Sequence, residues 1–411
     1  MLNIILSFLF ILFPLSLVGG VFFSNSIISI LALYGLYQSL KKKNWFIYKD
    51  IIIKFFIFFY IYILLRSLYS IDPFFSLESS LTYIRYLFFA LAVFFLIQEN
   101  KKILKYFSIS LSIVLLLVCL DSFYQYFFGV NILGWPQQDP VRVSSFFGKE
   151  LVLGSFVSRL MPLSIIFLVI FLDTKKILNK FLIVLFIIIL ATTVFISGER
   201  TALFYFILST VISIILVAKV RIFYLSSIII LISFAIIAFT INPNFKSRMI
   251  NETINQMNIS SNLQNVKVFS EHHERLYSSA IKMFQYNPFF GHGPKTFRIL
   301  CKEPEFNPGA CSTHPHNTYL QSLAEIGIFG TFFIILFLLY ISVNLIKKLI
   351  NTYFFRKVEI NDSLKITLLI CMLISIWPLS PSANFFASWI NGFYYLPLGF
   401  YFYEKFQNDN K

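Results

Sequence analysis

The stretch FLIVLFIIILATTVFISG, residues 181–198, contains no charged side chain. A helix rises about 1.5 Å per residue and the apolar core of a bilayer is about 30 Å thick, so roughly 20 such residues span it. Similar stretches recur along the whole chain. Hydrophobic residues make up 58% of the 411 positions and charged residues 13%, about half of the roughly 25% typical of soluble domains. The sequence therefore predicts an all-α integral membrane protein.

We predict about twelve transmembrane helices and one large extracytoplasmic loop. A retained first helix is favoured over a cleaved signal peptide, because the chain start lacks a basic segment and a small-residue cleavage site. Helices 1–9 occupy 1–240, the loop occupies 241–317, and helices 10–12 occupy 318–411. The predicted helices are 4–20, 22–40, 51–69, 81–98, 103–128, 151–172, 181–198, 200–218, 222–240, 318–345, 365–380 and 389–404.

Lysine and arginine are concentrated in every second connection between the predicted helices. The run Lys41-Lys42-Lys43 and the pairs Lys101-Lys102 and Lys175-Lys176 illustrate this alternation. Short basic loops stay on the cytoplasmic side of a membrane. We therefore expect both termini in the cytoplasm and the loop 241–317 on the opposite face. The formal net charge of +15 then reflects membrane-flanking residues and does not indicate nucleic-acid binding.

The loop 241–317 holds all five histidines of the protein. A loop of this length without a function is uncommon. Within it, 271–285 is predicted to be a helix, ended by Asn287-Pro288 and followed by a glycine-rich turn at 291–294. Cys301 and Cys311 share this loop, so in an oxidising compartment a disulfide between them is favoured. Cys119 and Cys371 fall in helices, where packing is the expected role.

The run His314-Pro315-His316-Asn317 lies where this loop meets the tenth predicted helix. A histidine there can take a proton from a hydroxyl near neutral pH, and the helix holds its backbone in place. His316 is therefore our candidate general base. The alternative is a histidine that only bonds a backbone group at the helix start.

The sequence predicts neither a metal site nor a cofactor. In EHHE, residues 271–274, adjacent side chains point about 100° apart around a helix and cannot ligate one ion from one face. A solvated helix start is the favoured interpretation. His314 and His316 could share an ion across Pro315, but no third ligand is evident. The chain also lacks HExxH and a phosphate-binding glycine loop, so the energy for any reaction must come with the substrate.

Several cations fall on the predicted outer side, against the usual distribution: Arg66, Arg85, Arg142, Lys149 and Arg200. Charge near the bilayer is costly and is commonly functional. The alternative is a side chain that reaches out to lipid phosphates. We favour a function for Arg142 and Arg200, and the alternative for Arg66 and Arg85.

Several motifs together resemble the bacterial O-antigen ligases and the related polymerases. HPHNTYLQSLAEIGIFG, residues 314–330, contains the His-Asn pair of that superfamily, followed after nine residues by Gly-Ile-Phe-Gly. RLYSSAIKMFQYNPFFGHGPKTF, residues 275–297, is similar to its arginine-led helix, proline and Gly-x-Gly turn. SGERTALF, residues 197–204, resembles its helix-start arginine. Arg142 with SSFFG, residues 144–148, resembles its earlier outer-loop element.

The resemblance implies an all-helical membrane glycosyltransferase whose donor is a glycan on a polyprenyl diphosphate. It makes His316 the catalytic base and Arg200, Arg275, Arg142 and His314 substrate-binding residues. No metal is required if arginines neutralise the diphosphate. The acceptor of a ligase is a hydroxyl of lipid A–core, and the expected location is the bacterial inner membrane with the site on the periplasmic face.

Two other functions stay open at this point. A polymerase, or an oligosaccharide transferase to protein, would need the same base, cations and lipid groove. A lipid or glycan transporter would perform no chemistry. Transporters place polar residues in broken helices near the bilayer midplane, whereas the polar residues here cluster at one face and in one loop, which favours an enzyme.

Overall fold

A computed structural model describes residues 2–42, 47–139, 142–241, 247, 254, 269–307, 309–354 and 362–408. Within the predicted loop 241–317, residues 242–268 lie outside the described residues, except for 247 and 254. Within the described ranges the fold is all-helical. Its helices are α1 Leu2–Ile11, α2 Phe13–Val18, α3 Val21–Lys42, α4 Ile51–Leu68, α5 Pro73–Leu81, α6 Arg85–Glu99, α7 Lys102–Phe128, α8 Leu153–Phe171, α9 Ile177–Ile196, α10 Arg200–Leu216, α11 Ala218–Ile241, α12 Glu271–Tyr286, α13 Phe297–Leu300, α14 Thr318–Tyr353, α15 Ser363–Ser375 and α16 Ser388–Asn408.

Among the residues that the structure describes, seven helical stretches are long and apolar enough to cross a membrane. Their outward faces carry large apolar side chains, such as Phe22 and Ile177, which are 75% and 81% exposed. A water-soluble protein rarely exposes such a continuous apolar surface. This supports a multi-pass membrane protein, while the count of twelve spans stays a prediction. The seven stretches are Val21–Lys42, Ile51–Leu68, Pro73–Glu99, Lys102–Phe128, Leu153–Phe171, Ile177–Ile196 and Thr318–Tyr353.

The structure corrects the predicted helices at three places. The first predicted helix, 4–20, is interrupted between α1 and α2. Helix α5 was predicted as a loop, although Asp72 caps it through the Phe75 N–H at 3.1 Å and a proline occupies its first turn, both typical start signals. The predicted helix 365–380 ends at Ser375, because a proline at 378 disfavours helical backbone in the residue before it.

Helix α6 lies at the centre of the bundle, with eleven of its fifteen residues buried. Glycines let α3 and α16 approach it closely. A Cβ on Gly35 would lie 2.0 Å from the Phe88 carbonyl oxygen, and one on Gly399 would lie 2.7 Å from Val93 Cβ. Membrane helices associate through such small residues because lipid supplies no hydrophobic drive between them.

At one end of the bundle, residues that precede two helices bond to the first turns of two others. Glu199, the residue before α10, accepts a hydrogen bond from the Gly154 N–H in the first turn of α8 at 2.6 Å. Ser382, in the loop before α16, bonds through its hydroxyl to Thr318, the first residue of α14, at 2.9 Å. Residues 314–318, which we call the histidine motif, lie at this end.

Candidate functional site

His316 lies two residues before the first residue of α14 and has a left-handed backbone, with φ at +57°. Residues other than glycine adopt this conformation rarely, and it persists only where the surroundings fix it. Asn317 fixes one side, because its Oδ1 caps α14 by accepting from the Tyr319 and Leu320 N–H groups at 3.0 Å each. The position of His316 is thus tied to the start of the helix.

The loop between α15 and α16, residues 376–387, fixes the other side, and we call it the clasp loop. The Ser382 N–H donates to the His316 carbonyl at 2.8 Å. The Ser382 carbonyl accepts from His314 Nε2 at 3.2 Å, and its hydroxyl bonds to Thr318. A single serine therefore contacts three residues of the histidine motif.

Asn317 allows the clasp to be tested separately from the helix cap, because its Nδ2 also donates to the Pro378 carbonyl at 2.9 Å. We predict that Asn317→Ser, which keeps a capping oxygen but removes this bond, lowers turnover by about tenfold with little change in melting temperature. Asn317→Ala should lower turnover similarly and also destabilise the protein by about 1 kcal/mol through loss of the cap. Initial rates and thermal melts measure both effects. Wild-type turnover of Asn317→Ser would contradict a positioning role for the clasp loop.

Both ring nitrogens of His314 are engaged within the protein. Nε2 donates to the Ser382 carbonyl, so Nδ1 accepts from the Thr313 hydroxyl at 3.0 Å. Burial lowers the pKa of His314 to about 4, which keeps it neutral at physiological pH. Its ring centroid lies 4.1 Å from that of His316. His314 is therefore well placed to orient the His316 ring.

The imidazole of His316 is half-buried and neutral. Its Nε2 lies 3.5 Å from the Ser312 hydroxyl, and its ring centroid lies 5.6 Å from that of His273. Burial, together with the smaller effect of the neighbouring histidines, lowers its pKa to about 3. At neutral pH this ring is thus unprotonated and able to accept a proton.

This pKa leads to a prediction on pH dependence. We expect kcat/KM to stay flat from pH 8 down to about pH 5, because His316 in the free enzyme is neutral well above a pKa of about 3. A bound anionic donor favours the imidazolium, so the acid limb of kcat should lie at higher pH than that of kcat/KM. Because the unfolded chain binds this proton more readily, stability should fall as pH drops from about 6.5 toward 3. Rate profiles and melts across this range test both, and an acid limb of kcat/KM near 6.5 would contradict the first.

His273 contributes to this cluster, which the sequence did not predict. Its Nδ1 bonds to the Ser270 hydroxyl at 2.7 Å, and burial lowers its pKa. The prediction that residues 271–274 form a solvated helix start holds for Glu271 and His272, which are exposed. It is wrong for His273, which is partly buried. The pattern did carry a signal, because this histidine shares a helical face with buried residues: His273, Leu276, Tyr277 and Ala280.

Three histidine rings lie near one another here, namely His273, His314 and His316. Among the residues that the structure describes, no group of three or more His, Cys, Asp or Glu side chains is arranged to hold a metal ion. His314 has no free nitrogen to offer, for the reason given above.

Glu199 links two loops at the candidate site. Its carboxylate accepts from the Gly154 and Ser155 N–H groups at 2.6 and 3.2 Å, so it occupies the start of α8. Burial raises the pKa of Glu199, while these hydrogen bonds and the charge of Arg142 oppose that shift. Arg142 itself donates through Nη2 to the Leu151 carbonyl at 3.3 Å. The structure thus places Arg142 beside the residue that precedes Arg200.

Arg200 is the first residue of α10 and is partly exposed. It lies within electrostatic range of His273 and contributes to lowering that residue's pKa. Since His273 contacts His316, Arg200 and the candidate base belong to one cluster. The N-terminus of α10 adds the positive end of a helix dipole, which favours a bound anion.

Arg275 points elsewhere in this structure. It lies two residues after His273, so its side chain leaves the helix about 200° around the axis. It pairs with Glu271 one turn earlier, and half of its side chain is exposed. Its Nη1 is close to Gly309 in the loop 301–311. The structure therefore brings Arg200 to the histidines and leaves Arg275 at the rim.

The glycine-rich turn at 291–294 packs against α14 where Gly327 interrupts the helix. Helix α14 opens at Gly327, whose φ is +64°, and the backbone of residues 288–293 packs against this opening. The Gly293 N–H donates to the Glu325 carbonyl at 2.6 Å. A Cβ on Gly327 would lie 2.3 Å from the Phe289 carbonyl oxygen. Only glycine permits both the conformation and the close approach.

Arg66 fastens the same turn, which corrects the interpretation of this residue as one that reaches for lipid phosphates. Its guanidinium donates to the Phe290 carbonyl at 2.8 Å, to the Gly291 carbonyl at 2.6 Å and to the Tyr69 carbonyl. Arg85 likewise donates to the Ser388 hydroxyl at 3.0 Å. Both arginines have structural partners.

The expected disulfide between Cys301 and Cys311 is present. It closes the loop that precedes the histidine motif, and Cys301 packs with Phe297 and Phe306 in a small core beside α12. Cys119 and Cys371 are buried and unpaired, as the sequence predicted. The bridge thus anchors the segment that leads into His314.

A family model described as O-Antigen ligase matches residues 183–335. The match begins within α9 and ends within α14, so it contains Arg200, Arg275, His314 and His316 and leaves Arg142 outside. No curated protein matches the chain significantly. The resemblance inferred from the motifs is thereby confirmed at the level of the superfamily.

Proposed function

From the O-antigen ligase domain in residues 183–335, we propose that this chain is a glycosyltransferase of the bacterial inner membrane. It moves a glycan from a polyprenyl-diphosphate carrier to a hydroxyl of lipid A–core on the periplasmic face. One structural observation supports the proposal independently of the family match. A neutral, half-buried His316 lies in the same cluster as Arg200, so a proton acceptor and a phosphate-binding cation are available together.

In the proposed reaction the acceptor oxygen attacks the anomeric carbon of the carried sugar. The bond from that carbon to the diphosphate oxygen breaks, and its electron pair leaves with the polyprenyl diphosphate. His316 takes the proton from the attacking hydroxyl. A single displacement of this kind inverts the configuration at the anomeric carbon. The leaving diphosphate is stable as an anion, so it needs cations more than an acid.

Arg200 supplies the first of these cations, and its planar guanidinium can bind two phosphate oxygens at once. Arg275 would join it by leaving Glu271. Exposed ion pairs one helical turn apart contribute only about 0.3–0.5 kcal/mol, so a diphosphate with two or more charges can replace the carboxylate. Arg142 would bind substrate from its position near Glu199. His314 would orient the ring of His316.

Because arginines neutralise the diphosphate in this mechanism, we predict that transfer survives chelation. Purified protein assayed in excess EDTA should keep its initial rate within experimental error, since no resident divalent ion contributes to the barrier. The matched measurement adds back magnesium or manganese. Activity that is lost in EDTA and restored by either ion would show that carboxylates of the loop bind a metal.

The family match supports a ligase and a polymerase alike, and the ligase is our leading hypothesis. A ligase must bind the anionic lipid A–core, and cations near the loop 241–317 could do so, but two of them are buried within the protein. Arg66 is committed to backbone carbonyls, and Arg159 is 4% exposed, so neither can dock lipid A–core. Lys149 is exposed and stays available.

Deletion of the gene in its native cell tests the proposal. A ligase deletion should leave full-length glycan on the polyprenyl carrier and unmodified core on the cell surface. Single repeat units attached to lipid A–core would instead show that chain extension has been lost, and would replace the ligase by a polymerase. Transfer of glycan to protein in the wild type, lost in the deletion, would identify an oligosaccharide transferase.

A transporter is the alternative without chemistry. Transporters use unwound membrane helices to expose backbone groups to a substrate. Helix α14 does open at Gly327, but the backbone of 288–293 occupies that opening. Purified protein that moves lipid-linked glycan across a vesicle without forming a glycosidic bond would favour the transporter.

A further inference from the structure

Arg159 is a buried cation inside the candidate membrane span of α8, with 4% of its surface exposed. Its Nη1 donates to the Ser155 carbonyl at 3.3 Å, and its guanidinium carbon lies 4.6 Å from the ring centroid of Tyr205. Its Nε has no hydrogen-bond partner among the residues described. No Asp or Glu among the described residues forms an ion pair with Arg159. Such a charge within a membrane span requires a compensating partner.

Two tyrosine hydroxyls near this arginine, those of Tyr277 and Tyr394, make no hydrogen bond of good geometry in the described ranges, and their polar neighbours are the side chains of Asn317 and Thr318. Both residues are buried. Tyr394 lies within electrostatic range of Arg159, and Tyr277 within range of Tyr205. Buried polar groups are nearly always paired, so the unpaired Nε of Arg159, with two phenols nearby, indicates a group that binds there.

This region lies beside the clasp loop. The bond from Arg159 to Ser155 directs its guanidinium toward the start of α8, one turn away, where Glu199 is bound. The Tyr205 hydroxyl, whose ring stacks on Arg159, bonds to the Ser380 hydroxyl of the clasp loop at 2.7 Å. A chain of contacts therefore runs from Arg159 through Tyr205 to Ser380 of the clasp loop, which also bonds to His314 through Ser382.

We propose that Arg159 binds a phosphoryl oxygen of the polyprenyl-diphosphate donor from the membrane side of the site. The inference rests on the proposed function and adds a residue to it. The lipid tail of such a donor lies among the spans while its glycan lies at the loop, so its diphosphate must pass the level between them. Arg200 lies at the surface end of that path and Arg159 at the membrane end. The guanidinium and the two phenols supply the hydrogens that phosphate oxygens accept.

Binding measurements on the purified full-length protein test this proposal without relying on transfer. The probes are a polyprenyl diphosphate, the polyprenol of equal length, inorganic diphosphate and phosphatidylglycerol, each scored by the rise in melting temperature and by Kd. Arg159→Gln should weaken binding of the polyprenyl diphosphate by at least about tenfold. Arg159→Lys should weaken it less, and the polyprenol should bind all variants equally. Arg85→Gln is the matched control, because Arg85 also stacks on a tyrosine, 5.0 Å from Tyr86.

Wild-type affinity of Arg159→Gln for the polyprenyl diphosphate would overturn the proposal and leave Arg159 a packing residue on Tyr205. Equal, Arg159-dependent binding of phosphatidylglycerol would assign the site to an ordinary anionic lipid and also overturn it. If Arg159→Gln does not fold, Arg159→Lys decides, and unchanged affinity there counts against the guanidinium contact. His316→Ala separates the two proposals: it should bind the donor normally and not transfer it, and normal transfer would refute the proposed base alone.

Discussion

His316→Ala is expected to lower the rate of glycan transfer by about 10²–10⁴-fold, the range that a general base contributes, while the protein still folds. The ring is neutral and half-buried, with a pKa of about 3. His314, 4.1 Å away, cannot take its place because both of its nitrogens are engaged. Initial rates with purified protein, lipid-linked donor and lipid A–core measure the loss.

His272→Ala is the matched control for this prediction, since His272 is exposed and lies beside His273 on the same helix. It should transfer glycan at the wild-type rate. His292→Ala should have a smaller effect on transfer than His316→Ala, because His292 is buried and its Nε2 donates to the Met283 carbonyl at 2.9 Å, a structural role. Near-normal turnover of His316→Ala in folded protein would remove His316 as the base.

Arg200→Ala and Arg275→Ala are each expected to lower transfer by about 10²–10³-fold, the usual effect of removing one group that stabilises developing charge. Lysine at either position should restore little of this loss. A guanidinium presents two parallel N–H groups to a phosphate, whereas an ammonium is a point charge. Steady-state rates of the four variants, with donor concentration varied, provide the measurement.

Lys282→Ala is the control for Arg275→Ala, because Lys282 is an exposed cation on the same helix, α12. Its loss should not change the rate. Glu271→Gln should also leave transfer intact, because the carboxylate holds Arg275 in the absence of substrate and is not needed once the donor is bound. Full activity with lysine at both Arg200 and Arg275 would mean that two-point contact with the diphosphate is unimportant.

The sequence by itself determined the features that depend on local physics. The apolar stretches predicted the helices, because a bilayer forces the backbone to satisfy its hydrogen bonds within each span. The helix 271–285 was predicted nearly to its ends at Glu271–Tyr286. The Cys301–Cys311 bridge followed from two cysteines ten residues apart in one loop. The motif matches led to the superfamily that the family model then confirmed.

Only the tertiary structure decided which side chains share the site. Residues 376–380 of the clasp loop were predicted as helix and the rest as a connection without a role, yet Ser382 holds His314, His316 and Thr318 from 64 or more positions away in the chain. Arg66 was predicted to reach for lipid, yet it binds the Gly291 carbonyl. These contacts join segments that no periodicity connects, because a long-range hydrogen bond leaves no pattern in the residues around either partner. The left-handed backbone of His316 is of the same kind, since its local sequence disfavours that conformation and only the surrounding contacts maintain it.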